Sequence, residues 1–342
     1  MNKLLSYYTS LFGASGSEGD VRRAVINEIS PYADVRVDKL GNVIAFKRGK
    51  SESPVTVMFS AHMDEVGMIL TSITEKGYLR FASVGGIDSR TLCGKHVAVG
   101  RSKIPGVIGE RAPHLMKKGD KDKVKEISDL YIDIGAKDKA DAEKYVAPGD
   151  MIGFVSDYAE FGDGLVRAKA IDDRAGCQIL TELVKKELPY DAWFCFSVME
   201  EIGTIGAGTA AFAIKPDVAV VVEGTTASDA TAKKNVSKVC SLHGGPVISF
   251  MDRLTVYDRK LMDLAMKAAD ENGIPWQLKQ AVAGGNDSGR IQRTGSGAAV
   301  ITLSVPVRYL HTAMSVAALD DIDNTGRLAY ALLEKIGGTT LC

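Results

Sequence analysis

The run Val218-Ala219-Val220-Val221-Val222 contains no polar residue. A strand with one solvated face alternates apolar with polar, so an unbroken β-branched run reads as buried on both faces. Such a strand needs helices above and below its sheet, and βαβ connections supply them. Val55 to Ser60, Trp193 to Phe196 and Ala298 to Val305 read the same way. Helical periodicity lies before, between and after these runs. It covers residues 17 to 29, with Ser17 and Asp20 as a capping-box variant; residues 172 to about 188; residues 257 to 272, stopped by Asn272-Gly273; and residues 322 to 336, stopped by Gly337-Gly338. The fold class expected is α/β, a mainly parallel sheet with helices on both faces.

Between Gly67 and about Phe161 the character changes. Short apolar runs alternate with glycine-bearing turns, the pattern of a small all-β barrel. The expected organisation is a discontinuous α/β domain, residues 1–66 and 161–342, interrupted by a barrel at 67–160 that carries no metal-site motif. The mixed-sign run Lys117 to Lys123 reads as a solvated loop within it.

Composition narrows the function classes. A formal net charge of -1 gives no footing for a nucleic-acid or membrane-surface binder. No apolar stretch approaches the ~20 residues that span a bilayer, and the N-terminus lacks a signal-peptide core. The 5 cysteines lack paired CxxC spacing and read as reduced thiols of a cytoplasmic protein.

The chemistry lies where the buried runs stop. His62-x-Asp64, Asp172-Asp173, Glu200-Glu201, Glu223 and His311 each follow a strand-like run. In open α/β sheets the ligand crevice lies outside the carboxyl ends of the strands. Residues far apart in sequence therefore converge there. Buried like charges repel unless a cation sits among them. Two histidines with several carboxylates suit two zinc or cobalt ions sharing a bridging carboxylate better than calcium or magnesium, which favour all-oxygen sites. Asp64 is placed to fix the His62 tautomer. His96 and His114 read as structural, and so does His243, with a cleft-lining role as its alternative.

The set A-H-M-D-E-V-G, A-I-D-D-R-A-G, M-E-E-I-G-T-I-G-A, V-V-E-G-T and V-R-Y-L-H-T, with P-H-L-M and I-D-I-G-A in the inserted segment, resembles the dimetal aminopeptidases that build tetrahedral dodecamers. Members carry names of the glutamyl aminopeptidase or glucanase-M type. The resemblance implies two divalent metal ions per subunit. Asp172 would bridge them, His62 and Glu223 would complete one, and Glu201 and His311 the other. Glu200 would be the general base and acid, with Asp64 beside it among the catalytic residues. Gly284, Gly285 and Asp287 would line the substrate pocket. The family usually has Asp where this chain has Glu223, and G-G-T-D-A where it has Gly284-Gly285-Asn286-Asp287-Ser288. The implied activity is removal of the N-terminal residue from peptides by a homo-oligomer. The Asp172–Asp173 peptide bond is expected to be cis, folding the bridging carboxylate toward the crevice. Two rivals stand beside this reading: a glycoside hydrolase using paired carboxylates, which leaves both histidines idle, and a non-catalytic assembly protein.

Overall fold

The computed structural model describes residues 2–112, 114, 123–230 and 239–338. Helices α1 (Lys3–Ser10) and α2 (Gly19–Ile29) lead into β1 (Asp34–Val37), β2 (Val43–Lys47) and β3 (Val57–His62). Six short strands follow: β4 (Gly67–Ile73), β5 (Leu79–Val84), β6 (His96–Val99), β7 (Ile104–Gly109), β8 (Tyr131–Asp133) and β9 (Met151–Phe154), with the one-turn helix α3 (Lys139–Ala142) before β9. The chain returns through β10 (Ala159–Phe161), β11 (Leu165–Ala168), α4 (Ile171–Lys185), β12 (Ala192–Ser197), α5 (Ile205–Ile214) and β13 (Val218–Thr226). It closes with β14 (Val247–Ile248), α6 (Arg259–Glu271), β15 (Gln277–Leu278), α7 (Asp287–Ile291), β16 (Ala299–Arg308), β17 (Ser315–Ala318) and α8 (Leu319–Gly337).

The runs without polar alternation become neighbours. β12, β3, β13 and β16 lie side by side in parallel, with Phe59 opposite Phe194 and Val220, and Val220 opposite Ile301. β3 is buried at every position. α4 and α8 pack together against these strands, with α1 and α2 on α4 and α6 on α8, while α5 and α7 pack together against β3, β12 and β13. Away from this centre the only parallel pair among the described strands of the sheet is the short β14–β15. Its wings, β1–β2 on one side and β17–β11–β10 on the other, are antiparallel. Sequence periodicity reports burial and not strand direction, so it does not distinguish the wings from the centre.

β4, β5, β8, β7, β6 and β9 close into a barrel with its own apolar core, including Met68, Leu79, Val97, Ile132 and Ile152. The insertion is narrower than expected: the barrel ends at Phe154, and β10 belongs to the large sheet. The Ser17 capping box does not form. Glu18 occupies the N-cap without a side-chain cap bond, and its carboxylate is used elsewhere. The structure adds helix α1, capped by Asn2, and the three-residue strand β8 to the elements expected from sequence. Cys93, Cys177, Cys195 and Cys240 are free thiols. Cys342 and most of the Lys117–Lys123 run and of the P-H-L-M motif lie outside the described residues.

A buried charge cluster ties the segment just before the barrel to the residues between β11 and α4 and to the first turn of α4. Glu65, just before β4, receives Lys169 Nζ at 2.7 and 2.9 Å and Arg174 Nη2 at 3.4 Å. Arg174 also donates to the carbonyls of Met63 (2.8 Å) and Tyr8 (2.5 Å). All three charged side chains are almost fully enclosed. Burial pulls the Lys169 ammonium down to about 8, with Glu65 opposing the fall. Removing one partner of a buried pair strands the other, so Glu65→Ala is expected to lower stability by about 3–5 kcal/mol. Urea unfolding checks this; a midpoint unchanged from wild type would show that the cluster contributes nothing.

Candidate metal centre

The four parallel strands deliver their chemistry to one end of the sheet. His62 is the last residue of β3, paired with Ser197 at the end of β12. Glu223 lies in β13, and His311 follows β16. Asp172 sits at the start of α4, where its backbone and that of Asp173 are not helical; the peptide bond between them is cis.

Asp172 stands between the two histidines. Its Oδ1 lies 3.3 Å from His62 Nε2, and its Oδ2 lies 3.5 Å from His311 Nε2. Glu223 Oε1 is 3.2 Å from His62 Nε2, and Glu201 Oε2 is 3.3 Å from His311 Nε2. Two His–carboxylate pairs thus face opposite oxygens of one shared aspartate. The extra methylene of Glu223 does not carry its carboxylate out of reach. Gly224 is required beside it, because a Cβ there would lie 2.8 Å from the Asp172 carboxylate.

Each imidazole has its other nitrogen on a carbonyl: His62 Nδ1 is 3.1 Å from Asp64 O, and His311 Nδ1 is 3.0 Å from Gly86 O. A carbonyl only accepts, so Nδ1 carries the hydrogen in both rings. In the neutral rings each Nε2 therefore turns a lone pair toward carboxylates, a repulsive arrangement that a divalent cation relieves. Asp172 Oδ1, moreover, is buried without a hydrogen-bond partner. Burial pushes Glu200 and Glu223 well above the usual carboxylate range and Glu201 up to about 7. Burial also works against the Asp172 carboxylate, yet His311 and His62 hold it low. Burial pulls His311 down, but Asp172 and Glu201 outweigh it and raise the ring to about 9. Glu200, Glu201, Glu223 and His311 each favour the protonated form, because the pocket is buried and holds more carboxylate than positive charge. The donor set fits divalent cations.

Asp173 also lies within ligand distance of His62 and Glu223. Its oxygens are committed to backbone, however, accepting from His62 N–H (3.1 Å) and Gly176 N–H (3.0 Å). Asp172 is the better ligand because one of its oxygens has no such bond.

The loop carrying Glu200 and Glu201 is held from outside. Val198 N–H donates to Asn42 Oδ1 (3.0 Å), Met199 N–H to Glu18 Oε1 (3.2 Å), Glu200 N–H to Asp64 Oδ1 (3.0 Å) and Glu201 N–H to Asp64 Oδ2 (3.1 Å). Met199 and His311 both adopt φ of +56°, a left-handed conformation that costs a β-carbon residue energy and collects at functional sites. Asp64, expected among the catalytic residues, is fully enclosed and also accepts from Ser15 Oγ at 2.6 Å. It positions the glutamates and does not reach the cleft.

That cleft, about 410 Å³, is lined by Asp172, Glu200, Glu201, Glu223, His311, Gly284 and Gly285. Asp287, expected to touch substrate, does not line it. Asp287 is 1 % exposed and accepts from Ser197 Oγ at 2.5 Å, because the N-cap Asn286 turns the chain into α7 and draws Asp287 beneath the site. His243 is elsewhere, paired with Asp320 at 3.0 Å. A larger groove of about 840 Å³ between α2 and the β6–β7 turn has mixed charges and no histidine among its lining residues.

A family model described as M42 glutamyl aminopeptidase matches residues 41–328. The chain belongs to this family. A lysyl aminopeptidase of Pyrococcus furiosus is similar to this M42 chain, 33% identical with 95% of this chain and 94% of the relative covered. The crystal structure of a TET aminopeptidase from a marine sediment archaeon of the Thaumarchaeota superposes with TM-score 0.93 at 32% identity, over 99% of this chain and 98% of that one. The TET1 peptidase of Pyrococcus horikoshii, which can assemble into a tetrahedron or a large octahedral shell, matches with TM-score 0.84 at 35% identity, over 96% and 98%. M42 membership makes the chain an aminopeptidase and sets aside the glycosidase and non-catalytic readings.

Proposed function

We propose that this M42 aminopeptidase holds two divalent ions, zinc or cobalt, with Asp172 shared between a His62–Glu223 site and a Glu201–His311 site, and that Glu200 is its general base and acid. The observation that carries the reading is the pair of Asp172 oxygens, each turned to a different His–carboxylate pair. Cations bound there supply Lewis acidity, which lowers the pKa of a water and polarises a carbonyl oxygen. Glu200 belongs to neither pair, lines the cleft, and sits where burial raises its proton affinity. It takes the proton of the attacking water and returns it to the leaving amine. Asp64 keeps Glu200 and Glu201 in register through their backbone N–H groups. Gly284 and Gly285 leave room for the substrate's first residue.

A panel of aminoacyl anilides, assayed with and without a chelator and after zinc or cobalt is restored, tests the reading. Release of the anilide, lost on chelation and regained with metal, is expected. Turnover that survives complete metal removal would refute it.

The subunit is read as part of a homo-oligomer, a dodecamer by analogy with the shells of its relatives, acting on peptides in the cytoplasm with no nucleic acid or membrane as partner. Among the described residues no helix is long and apolar enough to cross a membrane. The barrel, with a core separate from the α/β body, is assigned the subunit contacts. A chain lacking residues 67–154 is expected to elute from a sizing column as a much smaller species than the loss of mass alone explains. An unchanged oligomer would move the contacts to the α/β body.

A further inference from the structure

We infer that Tyr257 is a positioning residue for the cleft: buried behind the wall, it fixes where Leu254, Gly284 and Gly285 stand without touching substrate. The inference rests on the reading that Gly284 and Gly285 leave room for the substrate's first residue. Leu254, Gly284, Gly285 and Asn286 all line the cleft, and they come from two segments. Asp252-Arg253-Leu254-Thr255 is a turn closed by its own first side chain. Asp252 Oδ1 accepts from the N–H groups of Leu254 (2.7 Å) and Thr255 (2.8 Å), and Met251 pairs with Val256 across the turn. The turn then holds the glycine segment. Arg253 N–H donates to Gly284 O at 2.9 Å. Leu254 packs so closely on Gly285 and Gly289 that a Cβ on either glycine would come within 2.7 Å of it.

The two segments meet again at one buried hydroxyl. Tyr257 Oη donates to Asp252 Oδ2 at 2.5 Å and accepts from Asn286 Nδ2 (3.2 Å) and Thr302 Oγ1 (3.0 Å). Thr302 Oγ1 in turn lies 2.7 Å from Ser288 Oγ. All five side chains are buried. Burial and the facing Asp252 push the Tyr257 phenol up, so it keeps its hydrogen. A hydroxyl has one hydrogen to give, and the Tyr257 hydrogen goes to the carboxylate. The chain of donors therefore runs one way, from Ser288 to Thr302 to Tyr257 to Asp252. Asn286 is held from a second side, because its Oδ1 accepts from Ser288 N–H at 2.9 Å. A buried network with every member satisfied is rigid, and a gap in it is costly at low dielectric. Without the Tyr257 hydroxyl, Asp252 Oδ2, an Asn286 N–H and the Thr302 O–H are stranded. They regain partners only if the Asp252 turn or Asn286 moves, and either motion displaces Leu254 or the two glycines. Among the described residues, no member of the network hydrogen-bonds to His62, Asp172, Glu200, Glu201, Glu223 or His311. The network thus acts on the substrate side of the cleft and not on the metal side.

The test is made on the full-length, metal-loaded enzyme, comparing wild type with Tyr257→Phe and Thr302→Val, two substitutions that remove a hydroxyl and keep the bulk. The probes are Gly-p-nitroanilide, which puts no side chain into the cleft, and the best substrate of the aminoacyl anilide panel. In Tyr257→Phe the best-to-Gly ratio of kcat/KM is expected to fall about 3- to 10-fold, the scale of one hydrogen bond. The fall should come mostly from a higher KM for the best substrate, with bound metal at wild-type stoichiometry. Thr302→Val is expected to move the ratio the same way but less, because it leaves the Tyr257–Asp252 bond in place. A partly unfolded variant loses activity on both probes alike, so the ratio separates positioning from stability. A ratio unmoved in both variants, equal losses on both probes, or a wild type that turns over Gly-p-nitroanilide as well as any other anilide overturns the inference and leaves the aminopeptidase reading intact. If Tyr257→Phe yields no soluble protein, the ratio in Thr302→Val decides alone. Failure of wild type on every anilide removes the reading on which the inference rests.

Discussion

Glu200→Gln is expected to lose roughly 10²–10⁴-fold in turnover while keeping its fold and its metals. The amide has the shape of the acid, and residue 200 is anchored through its backbone N–H to Asp64 and not through its side chain. Nothing in that anchor senses the substitution. The side chain belongs to neither His–carboxylate pair, so metal content should stay at the wild-type level. What changes is proton affinity. Burial raises the Glu200 carboxyl, the His62 ring opposes the rise, and Glu223, Asp287 and Glu201 add to it. A carboxyl whose proton affinity is raised by burial can accept the water's proton and give it back; an amide does neither. The measurement is kcat on an aminoacyl anilide beside metal content on the same preparation. Wild-type turnover would remove Glu200 from the mechanism. Joint loss of turnover and metal would make it a ligand instead.

The parts of this molecule that were legible from sequence are those that announce themselves locally. β3, β12, β13 and β16 could be read because burial on both faces removes polar alternation, and α6 because its buried Leu261, Ala265 and Ala268 recur at helical spacing. The candidate ligands stood out because each follows such a run, and the family resemblance is what proposed how they divide between two sites. What was missed acts through the main chain of distant segments. Glu18 and Asn42 hold the loop after β12 by accepting backbone N–H groups, and a backbone donor leaves no trace in residue identity. Glu18 does stand at the start of α2, but its carboxylate accepts from Met199 N–H and does not cap the helix. Asp287 illustrates the opposite error. Its glycine-rich neighbours do line the cleft, but one residue further the N-cap at Asn286 turns the chain inward. Proximity in sequence to a pocket loop did not mean proximity to the pocket.

Asp172→Asn is expected to abolish activity and to empty both metal sites, where His62→Ala and His311→Ala should each empty one. The argument is geometric. One oxygen of Asp172 is turned to His62 and Glu223, and the other to His311 and Glu201. Asparagine keeps a single acceptor and presents an NH₂ group to the other side, where it repels a cation. The side chain cannot swing to compensate, because the Gly224 main chain packs against it closely enough that even a Cβ would collide. Loss of an outer partner of a metal site typically costs 10–100-fold in affinity, and loss of a shared ligand should exceed that at both sites. The amide also removes one negative charge from a pocket where Glu200, Glu201 and Glu223 are already pushed up by burial, so these three should ionise more readily and partly offset the loss. Equilibrium dialysis against zinc separates the outcomes by stoichiometry. Two ions retained at wild-type affinity in Asp172→Asn would show that the aspartate does not bridge. One ion retained would place Asp172 in a single site and leave the second to the remaining His–carboxylate pair.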